Sequence, residues 1–176
     1  APSANRFGQV SPTTAEAVRQ ELGAFLSEAD AILDGGPCAV GLESTIIDCT
    51  GTNPKILRPG AITVENIKGV TGLEVESPER SEIRVSGSLE NHYAPDAQVL
   101  LDVEPQPGDG FIALAEIPTP DGVIRLSAPK SLEAFAHDLY AALREGDAKE
   151  IQKIVVVSPQ GGGIAIAIRD RLKRAA

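Results

Sequence analysis

The segment KIVVVSPQGGGIAIAI, residues 153–168, constrains the fold more than any other part of the chain. It begins with a nearly continuous apolar run over 153–158, which is typical of a strand buried on both faces of a parallel sheet. Three glycines then lead into a helical pattern over 163–174. Because parallel strands require crossover connections, usually helices, the segment predicts an α/β layer with right-handed crossovers.

The residues before this segment supply further elements of such a layer. Short apolar runs predict three strands, at 98–103, 111–116 and 123–127. A helix is predicted over 131–146, beginning at Ser131 and ending at Gly146. Its apolar stripe consists of Leu132, Phe135, Leu139 and Leu143. Residues 97–176 are therefore expected to form a small α/β domain.

The glycine-rich turn at 161–163 has two interpretations. A turn between a strand and a helix is where backbone N–H groups bind phosphate. However, Ile166 stands where the dinucleotide fingerprint requires its third small residue, and no Gly-Lys-Ser/Thr follows. The alternative is a tight turn that only packs the helix onto the sheet.

The first part of the chain has a different pattern. Thr13 and Glu16 form a T-x-x-E capping box after Pro12, which predicts a helix that follows the opening loop, residues 2–13. Strands are predicted at 31–36 and 44–50, and Thr63 is expected to begin a short helix over 63–70. Residues 74–94 lack a sustained apolar period and predict a linker. The predicted division is therefore 1–73, linker 74–96, and 97–176.

Composition and charge exclude several classes of protein. The net charge of −9 argues against non-specific duplex binding by the bulk of the surface. No run reaches the roughly 18–20 apolar residues of a membrane span, and no signal-peptide pattern is present. We expect a soluble, cytoplasmic protein without membrane partners, in which Cys38 and Cys49 are buried thiols.

The chain ends on a basic run, RDRLKRAA, residues 169–176. Two roles are open for its four cations. They complement the dipole of a helix C-terminus, or they form a patch that faces RNA or phosphate. The cations are Arg169, Arg171, Lys173 and Arg174.

Several polar residues are candidates for a binding site. Ser3, Asn5 and Ser11 lie beside a predicted helix start, whose N–H groups and dipole suit an ATP phosphate chain, although capping and turn formation explain them too. Glu43, Ser44 and Thr45 stand at a strand entrance, where they line a pocket or face solvent. Arg58 either binds a phosphate or carboxylate or lies on the surface. His92 and His137 are too isolated to predict a metal site or a catalytic relay.

Five segments together resemble the Sua5/YrdC/YciO family. They are PSANRFGQVSPT, DGGPCAVGLESTIID, KILRPGAIT, NHYAP and GGGIAIAIRDRLKRAA, in the family's order. The resemblance implies an α/β fold: the C-terminal half of a YrdC-like domain, a linker, and a small Rossmann-like Sua5 domain with a mostly parallel sheet. The family's catalytic domain begins upstream with a Lys-x-Arg motif, so the chain is expected to be a C-terminal portion that is inactive alone.

The resemblance also implies a reaction and a site. The family makes L-threonylcarbamoyl-AMP from ATP, L-threonine and bicarbonate, releasing pyrophosphate, and Mg²⁺ accompanies the ATP. The product supplies the threonylcarbamoyl group of N6-threonylcarbamoyladenosine at position 37 of tRNA. The positions that match ATP-binding residues are Ser3, Asn5, Ser11, Arg58 and Tyr93. Ser44 and Ala1 match threonine-binding positions, with only the backbone available at Ala1.

Three hypotheses follow from the sequence. The first is the enzyme, present here as an incomplete piece. The second is a nucleotide- or RNA-binding module of the same family without adenylate-forming activity. The third is a Sua5 domain that only gates the catalytic domain through the linker. tRNA and tRNA-modification proteins are the partners that the resemblance implies.

Overall fold

The computed structural model describes residues 4–76 and 93–176. Ala1, Ser3, His92 and most of the predicted linker lie outside them. The helices are α1 (Ala15–Leu22), α2 (Val64–Thr71), α3 (Leu132–Ala148) and α4 (Ile164–Ala175), with a 3₁₀ turn at Gly23–Phe25. The strands are β1 (Ile46–Asp48), β2 (Lys55–Arg58), β3 (Gln98–Leu101), β4 (Gly110–Ile112), β5 (Ile124–Ser127) and β6 (Lys153–Val156). No helix in the described ranges is long and apolar enough to cross a membrane.

The C-terminal domain contains a four-stranded sheet in the order β3-β6-β4-β5, with every pair parallel. Strand β6 lies between β3 and β4, and its residues Ile154, Val155 and Val156 are fully buried. A strand paired on both edges and covered on both faces requires such an apolar run. The predicted α/β fold with a parallel sheet is confirmed.

Helices α3 and α4 cover one face of this sheet. Their apolar stripes place Phe135, Leu139, Leu143, Ile168 and Leu172 in the main core, each at most 1% exposed. Burial of one such side chain stabilises the fold by about 1.5–3 kcal/mol. Most of the described core therefore lies between these two helices and the sheet.

The opposite face of the sheet is covered by a loop. Phe111 and Val155 point to this face because successive strand residues alternate. The Arg125 guanidinium lies 5.0 Å from the centre of the Phe111 ring and donates to the carbonyls of Ala113 and Leu114 at 2.6 and 2.9 Å. Arg125 thereby holds the segment after β4 against the sheet.

The N-terminal part, residues 4–76, contains little core of its own. Strands β1 and β2 form a two-stranded antiparallel sheet, which is marginal in isolation. Phe7, Leu33 and Val70 are 80%, 93% and 88% exposed. We therefore expect the stability of this part to depend on its contacts with the C-terminal domain.

Two predicted helix starts are confirmed and one is wrong. Thr63 and Ser131 cap α2 and α3 through their side chains. The cap of α1 is Thr14, not Thr13: its hydroxyl accepts from the Ala17 N–H at 3.1 Å. Thr13 stays in the loop because its carbonyl accepts a hydrogen bond from the Cys38 N–H at 2.9 Å.

Three other expectations are wrong. Residues 31–36 form no strand; Asp34 instead accepts from the Gly36 N–H in a turn, and none of the strands found in residues 4–76 and 93–176 pairs with the segment. Helix α3 continues past Gly146 to Ala148, since Gly146 does not have the positive φ of a helix-ending glycine. This glycine serves close packing instead: a Cβ there would lie 2.4 Å from Ile154 Cδ1. Cys38 and Cys49 are exposed rather than buried, since both lie in loops of the N-terminal part.

Candidate functional site between the opening loop and helix α3

The opening loop, the segment before β1 and helix α3 line an open cavity of about 240 Å³. Its walls combine backbone and short polar groups with one carboxylate, three apolar side chains and one tyrosine. They are formed by Ala4, Asn5, Ser11, Pro12, Thr13, Cys38, Gly41, Leu42, Glu43 and Tyr140. The structure thus brings Asn5 and Ser11, two of the predicted ATP-binding residues, to one cavity.

Gly41 allows this wall to form. Its φ of +80° is a left-handed conformation that favours glycine. A Cβ at Gly41 would lie 2.5 Å from the carbonyl oxygen of His137, in the backbone of α3. Only a residue without a side chain permits this approach, which places Glu43 against the C-terminal domain.

Glu43 is the centre of the polar contacts at the cavity. Its Oε1 accepts a hydrogen bond from Ser11 Oγ at 2.6 Å. Its Oε2 accepts from the Tyr140 hydroxyl at 2.9 Å and from Arg171 Nε at 2.7 Å. Burial raises the pKa of the Glu43 carboxyl group. The hydrogen bonds from Ser11 and Arg171 and the charge of Arg171 lower this pKa by more than burial raises it, so it lies below its ordinary value. The carboxylate is therefore ionised near neutral pH.

Arg171 is fully buried, with 0% exposure. Besides the Glu43 carboxylate, its Nη2 donates to the carbonyls of Glu43 and Pro59 at 3.2 and 3.0 Å, and its Nη1 donates to Asp170 at 2.6 Å. Burial lowers the pKa of Arg171, but the hydrogen bond to Glu43 and nearby acidic groups outweigh it and raise the pKa. The Arg171 guanidinium therefore binds protein groups in the interior and does not face solvent.

The other basic residues of α4 also bind protein groups. Arg169 donates to the carbonyls of Pro159 and Gly161 at 2.7 and 2.8 Å. Arg174 pairs with Asp170 at 3.0 Å, and Lys173 is exposed in the last turn. The end of the chain is therefore not a patch of four free cations, because Arg171 is buried and two others are bound internally.

Tyr93 lies behind Tyr140 and Arg171. It is 2% exposed, its ring stacks on Tyr140 with centroids 5.7 Å apart, and Arg171 Cζ lies 5.6 Å from its centroid. Burial and the charge of Glu43 raise its pKa. Its φ of +67° is uncommon for a residue with a side chain. Tyr93 is not among the side chains that line the 240 Å³ cavity.

Arg58 and Ser44 contact each other outside this cavity. Arg58 Nε and Nη2 both donate to the carbonyl oxygen of Ser44, at 3.0 and 2.9 Å. Arg58 is only 8% exposed, so its interpretation as a surface arginine is wrong. The resemblance implies ATP binding for Arg58 and threonine binding for Ser44, and the structure places the two residues in contact.

The glycine-rich turn faces a second cavity, of about 430 Å³, formed between the two parts of the chain. Gly161 and Gly163 have φ values of +102° and +60°, which accounts for glycine at both positions. Glu133 lies in the same wall, and its carboxylate disfavours a phosphate there. The turn conformation explains Gly161 and Gly163, whereas close packing does not, because an added Cβ at Gly161 or Gly162 would meet no atom within 4 Å.

No group of three or more His, Cys, Asp or Glu side chains suited to a metal ion occurs within residues 4–76 and 93–176. Mg²⁺ prefers carboxylate and water oxygens. Glu43 is the carboxylate at the 240 Å³ cavity, and both of its oxygens already accept hydrogen bonds. These residues therefore do not fit a protein-held magnesium ion.

The sequence singled out Glu43 only as one of three polar residues before β1. It did not identify Tyr140 or Arg171 as parts of the site. The only local signal for Arg171 was its basic neighbourhood. Their contacts join residues 97 and 128 positions apart along the chain.

Two family models match the chain. The model for the C-terminal domain of threonylcarbamoyl-AMP synthase matches residues 62–176, and the Sua5/YciO/YrdC model, described as telomere recombination, matches residues 1–60. The models divide the chain near residue 61, and the predicted boundary at 73 stays a prediction.

Curated relatives extend over the whole chain. The threonylcarbamoyl-AMP synthase of Bacillus subtilis is 34% identical and aligns with 100% of this chain and 56% of its own length. That of Pyrococcus abyssi is 31% identical and aligns with 99% of this chain and 56% of its own length. The chain thus spans about half the length of the curated relatives it matches.

A solved structure has a similar fold. The crystal structure of Pyrococcus abyssi Sua5 complexed with L-threonine superimposes with a TM-score of 0.78 at 29% identity, and covers 99% of this chain and 56% of that one. The likeness extends over both parts of the chain. The chain therefore belongs to the Sua5 family of threonylcarbamoyl-AMP synthases.

Proposed function

We propose that the protein makes threonylcarbamoyl-AMP from ATP, L-threonine and bicarbonate, and that this chain supplies part of the active site. The observation that carries the proposal is the convergence of Ser11, Glu43, Ser44 and Arg58 in one connected set of contacts. These residues come from three of the five segments that resemble the family. The likeness to a Sua5 structure that holds L-threonine supports the same assignment.

The proposed reaction has two steps. The threonine amine attacks the carbon of CO₂, so an N–C bond forms, one C=O π bond opens and the amine loses a proton. With bicarbonate the C–OH bond breaks instead and water leaves with an amine proton, and either route gives a carbamate. A carbamate oxygen then attacks the α-phosphorus of ATP. The bond between the α-phosphorus and the bridging oxygen breaks, and pyrophosphate leaves with the electron pair. Neither step requires a covalent enzyme intermediate.

This chain would contribute positioning and charge. Arg58 would place positive charge near the phosphates, while Asn5, Ser11 and the N-terminus of α1 would bind polar groups of the substrates. Ser44 and the backbone of Ala1 would bind threonine. Ser3 and Tyr93 would bind ATP, as the resemblance implies. Mg²⁺ would arrive with ATP and be held by its phosphates. The product would serve tRNA modification in the cytoplasm, with tRNA-modification proteins as partners.

Pyrophosphate release tests the proposal. The protein made from its complete reading frame is assayed with ATP, Mg²⁺ and bicarbonate, with and without L-threonine, beside the 176-residue chain. Threonine-dependent release by the first and none by the second is the expected result. ATP binding without threonine-dependent release from either would overturn the enzyme and support the binding module.

A further inference from the structure

We propose that Glu43 is a positioning residue, through which Tyr140 and Arg171 of the C-terminal domain hold the substrate-binding segments of the N-terminal part in place. We call Ser11, Glu43, Tyr140 and Arg171 the Glu43 cluster. The inference rests on the proposed function and names residues that the sequence did not assign. It also gives the C-terminal domain a role in the site.

Arg171 contacts the backbone beside two of the predicted substrate-binding residues. Its Nη2 donates to the carbonyls of Glu43 and Pro59. Glu43 directly precedes Ser44, and Pro59 directly follows Arg58. One buried guanidinium therefore holds the backbone beside both residues, whose own contact is the bond from Arg58 to the Ser44 carbonyl. A displacement of Arg171 would move Ser44 and Arg58 together.

The hydrogen bond from Ser11 to Glu43 orients the Ser11 hydroxyl in the cavity. Because Glu43 is ionised and can only accept, the Ser11 hydroxyl donates to Glu43 Oε1, with 2.6 Å between the two oxygens. A serine hydroxyl has one donor and two acceptor lone pairs, so Ser11 presents lone pairs to the cavity. The cluster therefore prepares Ser11 to accept from an N–H or O–H group of the ligand, such as an ammonium, amino or ribose hydroxyl group, rather than to donate to a phosphate oxygen.

The attachment of the two parts does not by itself require this cluster. A second ion pair joins them: Arg144 of α3 pairs with Glu21 of α1 at 3.1 Å, and Arg144 also donates to the Val10 carbonyl. A buried ion pair is often no more stabilising than apolar packing of the same volume. What the Glu43 cluster adds is a defined geometry at the cavity, which Glu21 does not line.

The test compares Tyr140→Phe and Glu43→Gln with the matched control Glu21→Gln, which removes the other buried carboxylate charge between the same two parts. Each variant is made in the protein from the complete reading frame. Pyrophosphate release is measured while L-threonine and ATP are varied separately, and urea denaturation establishes that each variant is folded. Tyr140→Phe removes one hydroxyl and keeps the ring, so it stays informative if Glu43→Gln does not fold.

We expect Glu43→Gln to lower kcat/KM for L-threonine by about 100-fold and Tyr140→Phe by about tenfold, as displaced binding groups do. Glu21→Gln should stay within about twofold of wild type, because Glu21 does not line the cavity and Arg144 keeps its hydrogen bond to the Val10 carbonyl. Unchanged kinetics in both cluster variants would overturn the inference. Equal losses in all three variants would also overturn it, since general loosening of the two parts would then explain the effect.

Hydrogen exchange separates this inference from the proposed function. If wild type releases no pyrophosphate in response to threonine, the proposed function fails. Exchange at residues 10–13 and 42–45 then decides the positioning role: faster exchange in Glu43→Gln than in Glu21→Gln supports it, and equal exchange in the two variants overturns it.

Discussion

Arg171 Nε lies 2.7 Å from Glu43 Oε2, although the two residues are 128 positions apart in the chain. Arg171 is fully buried, and the Glu43 side chain is 19% exposed. The pair joins the last helix to the segment that precedes β1. Its contribution to stability depends on both partners, because a buried charge without its partner is strongly destabilising.

Arg171→Met should therefore lower the free energy of unfolding by about 3–5 kcal/mol. It leaves the Glu43 carboxylate with Ser11 and Tyr140 as its remaining donors. Urea denaturation of the chain measures the loss, and Lys173→Met serves as control because Lys173 is exposed on the same helix. Equal midpoints for Arg171→Met and Lys173→Met would contradict the prediction.

The pH dependence of stability should reveal Glu43. Its pKa in the folded protein is lowered from 4.5, so the ionised form is favoured by folding. The contribution is fully present above about pH 4.5 and is lost as the pH falls through the lower, folded-state pKa. The difference in urea midpoint between wild type and Glu43→Gln should accordingly be constant from neutral pH to about 5 and shrink below it. A difference that grows on acidification would contradict this sign.

Arg58→Ala should lower kcat/KM for ATP by about 100-fold in the protein from the complete reading frame, through lost charge and a displaced Ser44. Arg58→Lys should recover little of this, since an ammonium group does not reproduce the two guanidinium donors that share the Ser44 carbonyl. Pyrophosphate release over an ATP titration measures both. An unchanged rate in Arg58→Ala would remove this residue from the site.

Gly41→Ala should lower the free energy of unfolding by more than about 2 kcal/mol. The added Cβ would combine a positive φ with a contact of 2.5 Å to the His137 carbonyl. Gly35→Ala is the matched control, because no atom lies within 4 Å of a Cβ at that position. Denaturation curves that coincide for the two variants would show that the loop does not pack on α3 in this way.

Helix capping gives a further test of the first helix. Thr14→Ala should cost about 1 kcal/mol, since the Thr14 hydroxyl caps the Ala17 N–H, whereas Thr13→Ala should cost much less. Thermal or urea denaturation of both variants compares them. A larger loss of stability in Thr13→Ala than in Thr14→Ala would contradict this prediction and would support the capping box at Thr13 that the T-x-x-E pattern predicts.

Much of the fold was predictable because its causes are local. A hydroxyl at Thr63 or Ser131 meets N–H groups three residues away, so the sequence alone indicates the start of α2 and α3. The apolar run at 153–158 likewise predicts the buried central strand β6. The segment at 31–36 has a strand-like composition but pairs with none of the strands in the described part of the chain, and composition does not supply a partner.

The sequence by itself determined the helices with strong caps, the parallel α/β domain and the family's segments in order. Tertiary structure alone decided how the site is assembled. Glu43, Tyr140 and Arg171 carry no periodicity or spacing that links them, since their contacts form only when α3 and α4 pack against the loop that Gly41 admits. An arginine in a basic run gives the same sequence pattern whether its side chain faces solvent or pairs with a buried carboxylate. Only burial by distant segments distinguishes the two cases.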